Sequence, residues 1–236
     1  MVTVADKPRL QISVCVFCGK SPAKTRDHIP PKGIFPRPRP QLITVPACAR
    51  CNRGTSRIEE AFRVYLSLRV GINNDATAKL WNDEAMRTLR HNPRLRNIIL
   101  RSTRTISVRS PAGIILGERQ GGLWPPEVHD PIVEKTIRGL YFYHYGEILG
   151  DRVHIKVQWL RTTEDLENWS RRIDPSVEQL WTELPGVGNV GTRYFRYRYA
   201  TAIENPLHSA WLFDFYGAHF ASGYTSPIET LKSDSN

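Results

Sequence analysis

All four cysteines of this 236-residue chain fall into two pairs, Cys15-Val16-Phe17-Cys18 and Cys48-Ala49-Arg50-Cys51. A CxxC turn aims two thiolates at one ion, and two such turns complete a tetrahedral all-cysteine zinc site. Redox use is the competing reading of a CxxC, but two of them without a βαβ pattern point to metal. With every thiol consumed the zinc has no open position, so it holds the fold and the chemistry lies elsewhere. Between the knuckles lies Thr25-Arg26-Asp27-His28-Ile29-Pro30-Pro31-Lys32-Gly33. Proline fixes φ and biases the preceding residue toward extended backbone, so Asp27 and His28 end a strand and the prolines stiffen the loop after it. Neighbours in an extended segment face opposite sides, so this acid and this histidine are not one simple salt bridge.

These residues need elements to position them. Leu42-Ile43-Thr44-Val45 is β-rich and reads as a strand pairing back against the Asp27-His28 strand. Gly19 after the first cysteine pair and Asn52-Arg53-Gly54 after the second suit turns. From about Ile58 to Val70 a three-to-four spacing of Ile58, Phe62 and Tyr65 or Leu66 predicts a helix, with Glu59 and Glu60 favouring its N-terminal dipole. The result is strand, loop, strand and helix, clipped at the base by zinc.

Taken together, Cys15 and Cys18, then Asp27-His28-Ile29-Pro30, then Cys48 and Cys51-Asn52 resemble an HNH endonuclease of the zinc-containing ββα-metal type, over roughly residues 13–66. The resemblance implies a DNA phosphodiesterase with His28 as general base. It also implies that Asp27 and Asn52 ligate a catalytic divalent ion, Mg²⁺ or Mn²⁺. Where the family carries a middle asparagine that orients the histidine, this chain has Gln41, Leu42 and Ile43, leaving Gln41 or a backbone carbonyl for that task. The family's third letter is Asn52 here, as in a subset of its members.

The implied chemistry is coherent. Phosphodiester hydrolysis needs an activated water, a clamp on the phosphate oxygens and relief for the leaving oxygen. A neutral imidazole suits the proton transfer, and a carboxylate with an amide oxygen suits a hard cation. Glu59, seven positions beyond Asn52 on a similar helix face, is either a further ligand or a first-turn charge serving the helix dipole. Arg26, Lys32, Arg50, Arg53 and Arg57 surround the motif as candidate phosphate contacts. His91, His129, His144, His154, His208 and His219 show no ligand spacing.

Charge points the same way. The formal net charge is +10, but residues 1–110 carry 21 Lys and Arg against 7 Asp and Glu, while residues 111–236 carry 12 against 16. That asymmetry points to an anionic partner gripped by the first half, with nucleic acid (DNA, or alternatively RNA) the leading candidate and a merely basic, solvated surface the plainer reading. A zinc ribbon that binds nucleic acid without cutting it is the alternative function. Hydrophobic content of 40% marks a globular chain. No secretory h-region and no apolar run of bilayer length is visible, so the expectation is a soluble, cytoplasmic protein with no membrane partner.

The expected fold class is α+β, in three parts: the ββα-metal zinc module at 1–72, a helical connector at 73–103, and a mainly antiparallel β domain with a helix at 104–236. The connector pattern comprises a helix over 75–91 and a second opened by Pro93. Beyond it, the sequence predicts a hairpin turning at 110–113, a helix over 131–145, strands at 153–160 and 195–199, and a closing hairpin at 211–224. The tail from about Thr230 is expected to fray.

Overall fold

The computed structural model describes residues 13–68, 75–110, 112–122, 124–160, 187–191, 194–217 and 219–228; the expected frayed tail lies outside them. Strand β1 (Thr25–Ile29) pairs antiparallel with β2 (Ile43–Ala47), setting Asp27 opposite Val45 and His28 opposite Thr44. The two-residue period is clean on β1: Asp27 and Ile29 are buried, Arg26 is exposed and His28 is half-buried. After β2 come α1 (Ala49–Gly54) and α2 (Ser56–Ser67), so helical backbone begins nine residues before Ile58. Periodicity misses α1 because it buries no side chain completely. Its start is set instead by Cys48, whose Sγ accepts from the Cys51 N–H at 3.4 Å.

The connector is helical as expected: α3 (Asp75–Leu80), a π-helical turn at Trp81–Ala85, α4 (Met86–His91) and α5 (Pro93–Ser102). Pro93 sits at the start of α5, and the Asn92 side chain accepts from the Leu95 N–H at 3.0 Å. Buried Glu84 fastens the connector to α2, lying 2.7 Å from Arg87 and 4.0 Å from Arg63. A hairpin of β3 (Thr103–Arg109) and β4 (Ile115–Gly122) follows.

Helix α6 (Pro126–Tyr145) begins five residues before the expected 131. Pro126 occupies its first turn, where proline's fixed φ suits a helix, and Pro131 lies inside it. Among the described residues, the strands that follow are β5 (Val153–Leu160), β6 (Val187–Val190), β7 (Phe195–Thr201), β8 (Ser209–Phe215) and β9 (His219–Pro227). They form one antiparallel sheet in the order β5-β9-β8-β7-β6. Short, glycine-bearing β6 has no apolar alternation to announce it.

The class is therefore α+β. One buried cluster runs from Val16, Ile29, Phe35 and Phe62 through Ile137 and Tyr141 of α6 to Trp211 and Phe215 of the sheet. Phe62 of α2 meets Phe215 edge-on with ring centroids 5.5 Å apart, and the His219 ring hydrogen-bonds the Leu66 carbonyl at 3.0 Å. Among the described residues, no helix is long and apolar enough to cross a membrane.

Candidate functional site

The cysteines converge as their spacing requires. Their four Sγ atoms all lie within 4.8 Å of one another, and none is in a disulfide. A tetrahedral zinc with Zn–S bonds of about 2.3 Å wants sulfurs about 3.8 Å apart, so the set closes on an ion with a small contraction. Each knuckle is built locally. In the first, Gly19 takes φ +63° to turn the chain back, and its N–H donates to the Cys15 carbonyl at 2.8 Å. In the second, the Cys51 N–H that donates to Cys48 also pulls the Cys48 thiol pKa below its usual value, favouring the thiolate. The knuckles are tied together where the Val16 N–H donates to the Pro46 carbonyl at 3.0 Å. A four-cysteine centre able to hold zinc at the base of a ββα unit is thus present.

The next layer is the β1–helix contact. The Asn52 amide nitrogen donates to Thr25 Oγ1 at 3.0 Å and to the Arg26 carbonyl at 3.1 Å, pinning α1 to β1 beside Asp27. Its amide oxygen takes no hydrogen bond among the described residues. Asp27 Oδ1 accepts from the His28 backbone N–H at 2.8 Å. Its Oδ2 forms an ion pair at 2.7 Å with the ammonium of Lys135, a residue of α6 that is only 6% exposed. The same ammonium donates to Glu59 Oε1 at 2.8 Å and to Thr55 Oγ1 at 2.6 Å, and it stands 5.3 Å from the centre of the Phe17 ring in the first knuckle. Sequence reasoning missed Lys135. No local motif marks a lysine 108 positions from its partner, and only the packing of α6 on β1 brings the two together. Gly139, one turn along α6, permits that packing, since a Cβ there would meet Ile29 Cγ1 at 2.4 Å.

His28 falls on the alternate face of β1 and is half-buried. Burial pushes its imidazole pKa below the ordinary value, the Lys32 charge adds to that, and neighbouring Asp27 opposes it. The ring makes no side-chain hydrogen bond among the described residues. Thr44, directly opposite, accepts from Arg26 Nε on its hydroxyl oxygen at 3.0 Å, and Gln41 is exposed. Arg26, Lys32, Arg50, Arg53 and Arg57 are all exposed, as a phosphate-facing set requires. Arg39 is a further cation near His28 that the sequence motif does not flag; its Nε donates to the Lys32 carbonyl at 3.1 Å.

The donors at Asp27 suit a hard divalent ion in kind: two carboxylates, a hydroxyl and an amide oxygen, with no soft ligand among them. Three of those oxygens surround the Lys135 ammonium. Among the described residues, the cysteines are the only set of three or more His, Cys, Asp or Glu ligand atoms that converges. Compared with known proteins, the chain matches no family model, no curated protein and no solved structure.

Proposed function

We propose that the chain is an HNH-type nuclease that hydrolyses DNA phosphodiester bonds, with zinc as a structural ion and Mg²⁺ or Mn²⁺ as the catalytic one. The observation that carries this reading is the assembly of one ββα unit: four converging thiols at its base, with Asp27, His28 and Asn52 on the strand and helix they clamp. His28, whose environment favours the neutral imidazole, takes the proton from the attacking water. Asp27 and Asn52 would hold the divalent ion, which supplies charge relief to the phosphate and leaving oxygens. Exposed Arg50, Arg53 and Arg57 bind neighbouring phosphates without reading sequence. A nicking assay on supercoiled plasmid with Mg²⁺ or Mn²⁺ tests this reading. His28→Ala should abolish nicking while zinc content and DNA binding stay at wild-type levels, because the base acts only in the transition state. Nicking at the wild-type rate by that variant would end the nuclease reading.

One observation favours a second reading, a zinc module that binds nucleic acid without cutting. Asp27 already has a cation, Lys135, at ion-pair distance. Under that reading the purified chain binds DNA and never nicks it with either metal.

A further inference from the structure

The Asp27 node is built around a positive charge that the chain itself provides. Two carboxylates, Asp27 and Glu59, and the Thr55 hydroxyl converge on one ammonium, which leaves the cluster with a formal charge of −1. The node is largely shut off from water, since Asp27 and Lys135 are each 6% exposed, so that residual charge is weakly screened. Lys135 reaches it from α6, far along the chain from the zinc unit, and touches the first knuckle through Phe17. A divalent ion in place of the ammonium would bring the two carboxylates to neutrality. It cannot share the pocket with the ammonium, because two cations a few ångströms apart repel strongly at low dielectric.

We propose that Lys135 is the resident cation of the Asp27 site and competes with a divalent ion for it, so that α6 controls metal entry into the zinc module. The inference rests on the divalent-ion part of the nuclease reading. Its direct consequence is that the wild-type chain binds the ion with an affinity reduced by the fraction of molecules in which Lys135 has withdrawn.

The test is Mn²⁺ binding to the full, zinc-loaded chain, read from the paramagnetic resonance signal of free Mn²⁺. Lys135→Met keeps the length of the side chain and removes its charge. This variant should bind Mn²⁺ at least about tenfold more tightly than wild type, the factor expected if Lys135 is withdrawn in fewer than about one molecule in ten. Adding Asp27→Asn should erase the gain. A second measurement needs no variant: acylation of Lys135 in the wild-type chain, followed by mass spectrometry. The buried amine should be protected without Mn²⁺ and become reactive as the ion binds. Equal Mn²⁺ affinity in wild type and Lys135→Met, a gain that survives Asp27→Asn, or a Lys135 that stays protected while Mn²⁺ binds would each overturn the proposal. The two claims fail separately. A chain whose Lys135→Met form gains Mn²⁺ but never nicks DNA refutes the nuclease and keeps the competition; a chain that nicks with Mn²⁺ but shows no gain refutes the competition alone.

Discussion

At the scale of single residues, the side-by-side acid and histidine are explained by the pleat. Alternation on β1 sends Asp27 inward to Lys135 and leaves His28 on the opposite face, beside Lys32 and Arg39. The two residues therefore answer to different environments although they share a peptide bond. For His28 the environment has a sign. Its pKa lies below the ordinary value of about 6.5, because burial and nearby cations disfavour the imidazolium. The neutral, proton-accepting form then still predominates at pH 6.5. Nicking measured from about pH 5 to 8 should therefore reach half of its plateau rate below about pH 6.5. A rate already halved above that value would show that His28 is not the titrating base. The motif letters, all local, were legible in the sequence. The histidine's orienting partner was not: of the two expected candidates, Gln41 is exposed, which leaves a backbone carbonyl.

At the scale of elements, what could be read in advance follows the range of the interaction that sets each one. The β1–β2 pair, α2, α5 and β7–β9 carry their own periodicity or caps, so their positions follow from the residues within them. Helix α1 is set by a sulfur cap and the early start of α6 by a proline that suits a first turn; neither leaves an apolar stripe to count. The β1–α6 contact was invisible for a further reason: it depends on the absence of a side chain. Gly139 lets the α6 backbone close on Ile29, and Lys135, one turn away on the same face, is thereby delivered to Asp27. Gly139→Ala puts a methyl group 2.4 Å from Ile29 Cγ1, where packing is tight and Ile29 is fully buried. Helix propensity favours alanine by up to about 1 kcal/mol, but overpacking a core typically costs about 1–3 kcal/mol, so the clash should win. Denaturant unfolding of Gly139→Ala should show a net loss of stability, while the exposed-site control Gly54→Ala, with open space around it, should not. A stabilised Gly139→Ala would mean that α6 does not sit this close to β1.

At the scale of the whole molecule, a continuous core and a divided charge coexist. Phe62, Leu66 and Ile29 of the zinc unit share one buried cluster with α6 and the five-stranded sheet, yet the excess of cations lies before residue 111. The connector shows how both are met. Leu95 and Ile99 of α5 turn inward, while Arg94, Arg96 and Arg101 of the same helix and Arg104 just after it stay exposed. With Arg50, Arg53 and Arg57 on the zinc unit, these exposed residues are the phosphate contacts that the proposed nucleic-acid binding would use, without base-reading geometry. Such binding is driven by counterion release, so its affinity for duplex DNA should fall steeply between about 50 and about 200 mM salt, whatever the sequence of the duplex. Replacing Arg94, Arg96 and Arg101 together by alanine should weaken binding and flatten the log–log salt slope by up to about one unit per lost contact. Fluorescence anisotropy with two unrelated labelled duplexes measures both quantities. If the triple variant keeps the wild-type slope, the connector's outward face is a solvated surface and the phosphate contacts lie on the zinc unit alone. If its loss differs between the duplexes, the arginines read bases, and the sequence-independent account of the basic half fails.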